Sequence, residues 1–413
     1  MKQIITIALL VWLLLAGASL PGVQAHPAAQ APRQDAVSAA PGDFPLSPGL
    51  ATGSIGGYTE SIGEVAFGVQ TSGRIHVLWT GTLNPAFGLF VFYSSSADGV
   101  NWSPYQILSY WAGYEPKVVI DDARNRVHLV YRVADEGIIH RVAANGALSG
   151  PVVLGTGSVS APKLALDPAS GRVHAVWQIG RWHPVPGALE WRYRARYAYW
   201  NGATWSGAVR VINDADVNHV AVAAADGQTM LAWFQGWAAT RGESGEANSP
   251  TVPRTATGTA VGKFPLRQAV SGVYPMPETD ESIMLAYSSY DDRFYMLCSH
   301  FMWPGHSVIY RYIWNGSWSA AKDISGNAAD WAAPIYLGTA SGAGFTYYAY
   351  RQNGFWARTE TNGVLGAPQN IGQYLAGRGY TGTPVFFLAP GGTVHMVVAG
   401  KKDGADGLWY LRQ

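Results

Sequence analysis

Apolar positions in this chain come in runs of a few residues closed by turn residues, the pattern of strands rather than helices. One run recurs with a fixed internal order: a turn residue, three positions on a His or a substitute, and three further on an aromatic. It appears as GRIHVLW from Gly73, NRVHLVY from Asn125, GRVHAVW from Gly171, GQTMLAW from Gly227, DRFYMLC from Asp292, GFTYYAY from Gly344 and GTVHMVV from Gly392. The successive starts lie 52, 46, 56, 65, 52 and 48 residues apart, the length of one four-stranded propeller blade.

Each copy has the same neighbours. Ahead stands an apolar strand ending in a turn (PKVVIDD from Pro116, PKLALDP from Pro162, PVFFLAP from Pro384). Behind come a variable loop, an aromatic-rich strand, a tight turn and a short strand near Trp-Ser, as in YAYWNGATWSGAVRVI from Tyr197. Asn-Gly at 145, 201, 315 and 362 suits two-residue hairpin turns with positive φ at both positions. The pattern predicts an all-β fold, a seven-bladed β-propeller with strands A to D in each blade, six blades being the alternative. The last copy ends at Gln413 after strand C, and an open blade edge invites aggregation. FPLSPGLATGS (Phe44 to Ser54) resembles the D-strand stretch ALSGPVVLGTGS (Ala147 to Ser158), so the N-terminal strand is expected to close the ring.

Residues 1–25 read as an export signal: Lys2, an apolar stretch from Ile4 to Ala16, then the small-residue cleavage site Val23-Gln24-Ala25. Residues 26–42 form an Ala/Pro-rich leader with almost no large apolar side chain, and 43–413 form the propeller. No later run of about 18 apolar residues predicts stable membrane insertion. The expected location is extracellular and the expected state a monomer. Charged residues make up 13% of the chain, against about 25% in an ordinary domain. A formal charge of +1 with no Lys/Arg cluster argues against a nucleic-acid partner. The single cysteine, Cys298, rules out an intramolecular disulfide and is expected to be a buried thiol. The recurring His76, His128, His174 and His395 occupy one position in separate blades. That marks a packing or hydrogen-bonding role, since metal ligands must converge; no metal or cofactor is expected.

In this strand order the D-to-A and B-to-C connections share the face that surrounds the channel mouth. They carry Trp111, Trp182 and Trp331 among carboxylates and arginines, and aromatic faces with hydrogen-bonding charges suit a glycan. Directly after the repeat aromatic, only two blades place an arginine, Arg132 and Arg351, a pair able to clamp an anion. The loop Gly236 to Gly258 is the longest of these connections and is expected to be a polar lid.

SSSADGVNWS (Ser94 to Ser103) resembles the Asp-box of BNR repeats in sialidase-like propellers, with Gly99 and Trp102 at the family spacing and Asp98 one place late. The resemblance implies an arginine triad (Arg132, Arg351, Arg378), a Tyr380 nucleophile paired with Glu190 or Glu115, and an Asp acid/base, for which Asp330 is the candidate. The expected function is glycan recognition with sialidase-type hydrolysis. Its rivals are a non-catalytic binding module and a polysaccharide lyase on the same scaffold, whose base would be His183, His219 or His306.

Overall fold

The computed structural model describes residues 53–54, 61–82, 88–109, 112–185, 188–211, 217–235, 252–259, 264, 266–270, 283–302, 306–326 and 332–412. The export signal, the leader, Trp111, Asp330 and Trp331 lie outside them, and so does the lid segment 236–251.

Seven antiparallel sheets follow one another, each with strand order A-B-C-D. The A strands are Ser61–Val69, Gly113–Asp121, Val159–Asp167, Val217–Ala225, Ile283–Ser288, Ala332–Ala340 and Tyr380–Leu388; they pack on one another and line the centre of a seven-bladed β-propeller. The seventh sheet takes its D strand from the other end of the chain: Gly53 pairs with Tyr410 and Ser54 with Trp409. The N-terminal strand therefore closes the ring, as the unmatched last repeat requires.

The repeat aromatics explain why the blades adhere. Trp79, Trp177 and Trp233 are almost wholly buried, with Tyr131 and Tyr350 at the same repeat position and Cys298 buried there in blade 5. Each adjacent pair of blades shares an apolar cluster, including blade 7 with blade 1 through Val397, Leu408 and Tyr410 against Phe67, Val77 and Phe92. Every blade thus needs both neighbours to bury its two faces, at about 1.5–3 kcal/mol for each large side chain. Deleting the chain through Ser54 should open the ring, lowering the melting temperature and solubility together; a truncated protein matching the parent in both would show that the closing strand carries no weight.

Each of the histidines has a hydrogen-bond partner in its own blade, and His174 Nδ1 also lies 3.2 Å from Thr229 Oγ1 of blade 4. Nδ1 of His76, His174 and His395 lies 2.7, 2.6 and 2.6 Å from the hydroxyl of a C-strand tyrosine: Tyr93, Tyr197 and Tyr410. Nε2 of His76 faces Gln70 Oε1 at 3.0 Å, which can only accept, so Nε2 carries the proton and Nδ1 accepts from Tyr93. In blade 2 the tyrosine is replaced by His140. Trp205 Nε1–H donates to His140 Nδ1 at 2.9 Å, leaving Nε2–H of His140 to donate to His128 Nδ1 at 3.0 Å. Trp205 belongs to blade 3, and this bond stitches it to blade 2. Trp318 does likewise from blade 5 to Thr255 of blade 4 at 2.9 Å, and Trp102 packs edge-on against Tyr410 of blade 7. The Trp of the C–D turn is thus an inter-blade tie. In the first such turn Asp98 accepts from the backbone N–H of Val100 and Asn101, each at 2.8 Å.

Three local expectations are corrected. Positive φ at both residues occurs at Asn145-Gly146 and Asn362-Gly363 but not at Asn201-Gly202 or Asn315-Gly316. In the 201 turn, Asn201 Oδ1 instead accepts from the N–H of Ala203 and Thr204, because the side chain closes a longer turn that a two-residue hairpin cannot span. Arg181, Trp182, His183 and Glu190 stand on strands rather than in a loop, since Arg172–Val185 pairs with Ala188–Trp200 to its end. The segment ending at Gly258 is loop only in part: Val252–Thr259 is the C strand of blade 4 and pairs with Gln228–Gln235 along its length. Its small β-branched and polar residues satisfy the ladder without supplying much core.

Candidate functional site

At the channel mouth the A strands of blades 1, 2 and 3 bring charge together. Five of the A strands swell into β-bulges, with register shifts at Ile62/Val65, Tyr114/Lys117, Ser160/Lys163, Asn218/Val220 and Pro334/Tyr336. A bulge re-aims the side chains that follow it. In blade 2 it puts Glu115 at φ 53° and in blade 4 His219 at φ 46°, conformations an ordinary side chain enters only under constraint.

The constraint in blade 2 is visible. The N–H of Glu64 donates to Thr80 Oγ1 at 2.9 Å, the Glu64 carboxylate accepts the backbone N–H of Glu115, and Arg132 Nε donates to Glu115 Oε2 at 3.1 Å. The guanidinium of Arg132 sits 4.5 Å over the ring of Tyr114. Two lysines complete the group. Lys117 Nζ donates to the carbonyl of Pro116 at 3.0 Å. Burial pushes the Lys117 amine below its ordinary value, with Glu64 and Glu115 opposing. Lys163 is lowered to about 8 by burial and by Lys117, again against the pull of Glu115 and Glu64. A lysine near 8 is part neutral and nucleophilic or basic close to physiological pH. Beside this group a cavity of about 490 Å³ opens between blades 2 and 3, walled by Arg132, Asp135, Ser158, Ser160 and Tyr193. It falls in the usual size range of ligand sites.

The other sequence candidates are spread around the ring. Arg351 ends the B strand of blade 6, exposed and in register with Ala333 and Phe355. Arg378 follows the short helix Ile371–Ala376, which the repeat pattern missed, and stacks 4.5 Å over Tyr374. Tyr380 opens the A strand of blade 7, buried beneath Lys402 and edge-on to Trp409, its hydroxyl without a partner among the described residues. Arg132 and Glu115 are brought together; Arg351 and Arg378 belong to blades 6 and 7, across blade 1 from them. Glu190 lies in register with His183 on the blade-3 hairpin, where Trp182 is 64% exposed. His219 packs edge-on to the buried Phe234.

Sequence reasoning passed over Glu64, Lys117 and Lys163. A signal was present: Lys follows Pro in two consecutive A strands, PKVVIDD and PKLALDP, an inner position that apolar residues would otherwise fill.

No protein-family model matches the chain, and no curated protein matches it. Among solved structures it is similar to a polysaccharide lyase of family PL25, an ulvan lyase bound to -[GlcA(1-4)Rha3S]-, with a TM-score of 0.51, 11% identity, and 83% of this chain and 90% of that chain covered. It is also similar to an α-L-arabinanase of Penicillium chrysogenum complexed with arabinobiose, with a TM-score of 0.44, 12% identity, and coverage of 73% and 94%. A GH93 α-L-arabinofuranosidase of Fusarium graminearum gives 0.42, 12%, 86% and 93%. At these identities the likeness is one of fold. The class that the topology and the likeness to the ulvan lyase fold define is the seven-bladed β-propeller.

Proposed function

We propose that the chain is a glycan-active propeller that takes an acidic polysaccharide at the channel mouth of blades 1 to 3 and cleaves it by β-elimination. The observation that carries this reading is the convergence of Lys163, Lys117 and Arg132 with Glu64 and Glu115. A uronate offers a carboxylate beside an acidic C–H. Arg132 commits Nε to Glu115 and lines the adjoining cavity, so its remaining N–H groups are available to a substrate carboxylate. The neutral Lys163 amine removes the proton from the carbon next to that carboxylate. The C–H electron pair becomes a carbon–carbon double bond, the C–O bond to the leaving sugar breaks, and the departing oxygen takes the proton from the new ammonium. The ulvan lyase that shares the fold, bound to a glucuronate-containing unit, supports a uronate as substrate class. Sialidase-type hydrolysis would instead need Tyr380 beside a glutamate, and nothing among the described contacts of Tyr380 favours it.

The test is incubation with a panel of uronate-containing polysaccharides. A lyase releases products with the ultraviolet absorbance of an unsaturated uronate. Lys163→Met should cut that rate at least about 100-fold with little change in binding, the usual worth of a general base. The parent rate should rise with pH to a plateau above about 8 as Lys163 deprotonates. New reducing ends without the absorbance would mean hydrolysis, and binding with neither signal would leave a recognition module. Such polymers lie outside cells, in keeping with the export signal read at residues 1–25; N-terminal sequencing of the secreted protein tests that cleavage.

A further inference from the structure

On the face away from the channel mouth, a cavity of about 380 Å³ opens between blades 1 and 2. It is framed by the A–B turn and the C and D strands of blade 1 and by the A–B and C–D turns of blade 2. Its inner wall is apolar: Val127 and Ala143 are buried, with Leu148 packed beside them.

A directed chain of hydrogen bonds forms the other wall. Tyr93 O–H donates to His76 Nδ1 at 2.7 Å, and His76 Nε2–H to Gln70 Oε1 at 3.0 Å. Gln70 Nε2 donates to Asn125 Oδ1 at 3.0 Å and Asn125 Nδ2 to Asn145 Oδ1 at 3.1 Å, which carries the chain from blade 1 into blade 2. Every amide oxygen in the chain already accepts, so what these amides have left to offer is chiefly N–H. The amide nitrogen of Asn145 and the side chain of Gln106 make no hydrogen bond among the described residues. Arg74, at the rim, makes no ion pair among them. His76, lowered to about 4 by burial, is neutral at physiological pH. Arg74 is thus the one charged side chain among the described residues of the lining, and none of them is a carboxylate. Asp122, in the neighbouring turn, accepts the N–H of Thr71 at 2.9 Å and does not line the cavity.

The fold does not require this arrangement. Blade 7 closes the same A–B turn with Ala389 where blade 1 has Gln70, and His395 keeps its tyrosine partner there. What Gln70 adds is the link to Asn125 and the donors that face the cavity.

We infer that this cavity binds one acidic sugar residue, a ring bearing a carboxylate or a sulfate ester. Arg74 and the amide N–H groups hold the oxyanion, because charge-assisted hydrogen bonds favour an anion where donors converge and no carboxylate competes. The apolar face of the ring lies on Val127, Ala143 and Leu148. The volume is at the lower end of the range of ligand sites, which admits a single residue or a chain end rather than a stretch of polymer. The choice of a sugar to carry the anion rests on the glycan reading above; the preference for an anion rests on the lining of the cavity. The A–B and C–D turns lie opposite the mouth, so a residue held here is not the one being cleaved.

Calorimetric titration of the protein with glucuronate, glucose 6-sulfate, glucose and acetate tests this. One or both acidic sugars should bind at least about tenfold more tightly than glucose or acetate, the stronger naming the anion. Arg74→Met removes the cation from an exposed position. Asn145→Asp keeps the acceptor for Asn125 and suits the left-handed backbone at φ 51°, while it replaces the N–H donors by a negative charge. Each should weaken the acidic sugar about tenfold or more, with melting temperature and elimination rate unchanged. Glucose or acetate binding as tightly as the acidic sugars, an affinity indifferent to both variants, or a fall in melting temperature in both overturns the inference. Arg132→Met separates this site from the mouth: the affinity should survive in it. An affinity lost in Arg132→Met and kept in Arg74→Met puts the sugar at the mouth alone, which overturns the inference and leaves the lyase reading standing. Binding that depends on Arg74 with no elimination in the parent sinks the lyase reading alone.

Discussion

Acidification should unfold this propeller well before its carboxylates are neutralised. His76, His128, His174 and His395 are each lowered to about 4, and His140 to about 3, with burial the leading cause. An unfolded chain holds them near 6.5. Below that value the unfolded state binds more protons, so the stability these groups contribute is complete above about pH 6.5 and is lost as pH falls through about 4. Each group is worth about 3 kcal/mol across that window, and several together rival a domain's whole stability of about 5–15 kcal/mol. A protonated Nδ1 also ceases to accept from its tyrosine, or from Trp205 in blade 2. Urea midpoints should therefore be level from pH 8 to 7 and fall steeply between 6.5 and 4.5. A midpoint unchanged at pH 4.5 would show that these imidazoles titrate normally. Lys163 adds a weaker trend of the same sign at alkaline pH: its burial penalty fades as the medium rises from about 8 towards 10.5.

The second large effect is expected at Glu360, which ties blade 6 to blade 5. Its carboxylate is 1% exposed and accepts Nε of Arg311 at 3.0 Å, a second Arg311 nitrogen, and the hydroxyl of Tyr348 at 2.5 Å. Arg311 is itself 7% exposed. Glu360→Ala should cost about 3–5 kcal/mol, because it strands a buried guanidinium. The paired change Glu360→Leu/Arg311→Met should recover most of that loss, since removing both charges removes the desolvation they share. Denaturant titration of the three variants checks this. A single variant losing under 1 kcal/mol would mean that Arg311 finds water or another partner.

The architecture is legible because every blade buries a side chain at the same distance from the same turn, an aromatic in five of the seven, and that demand is written locally. The closing strand was legible for a related reason: six copies carry a D strand and the last does not, so the missing strand had to come from elsewhere. The candidate site was less so. Arg132 and Glu115 stood out as charges at strand ends, but their union with Glu64 and Lys163 depends on bulges in three different A strands, and a bulge shifts the facing of every later residue without altering composition. The long blade-3 hairpin is hidden in the sequence because Pro184 and the charges around it interrupt apolar alternation.

The strand at Gly53–Ser54 also sets an order of events. A ribosome makes it among the earliest parts of the propeller, and its partners, Trp409 and Tyr410, follow only after the other blade strands. At about 5–20 residues per second the opening strand waits tens of seconds for its mate, while blade after blade leaves the tunnel with one flank bare. The ring can therefore close only after all seven blades have been made. Whatever shields those bare flanks in the interval, a holdase or a translocation channel, governs how much of the protein arrives closed.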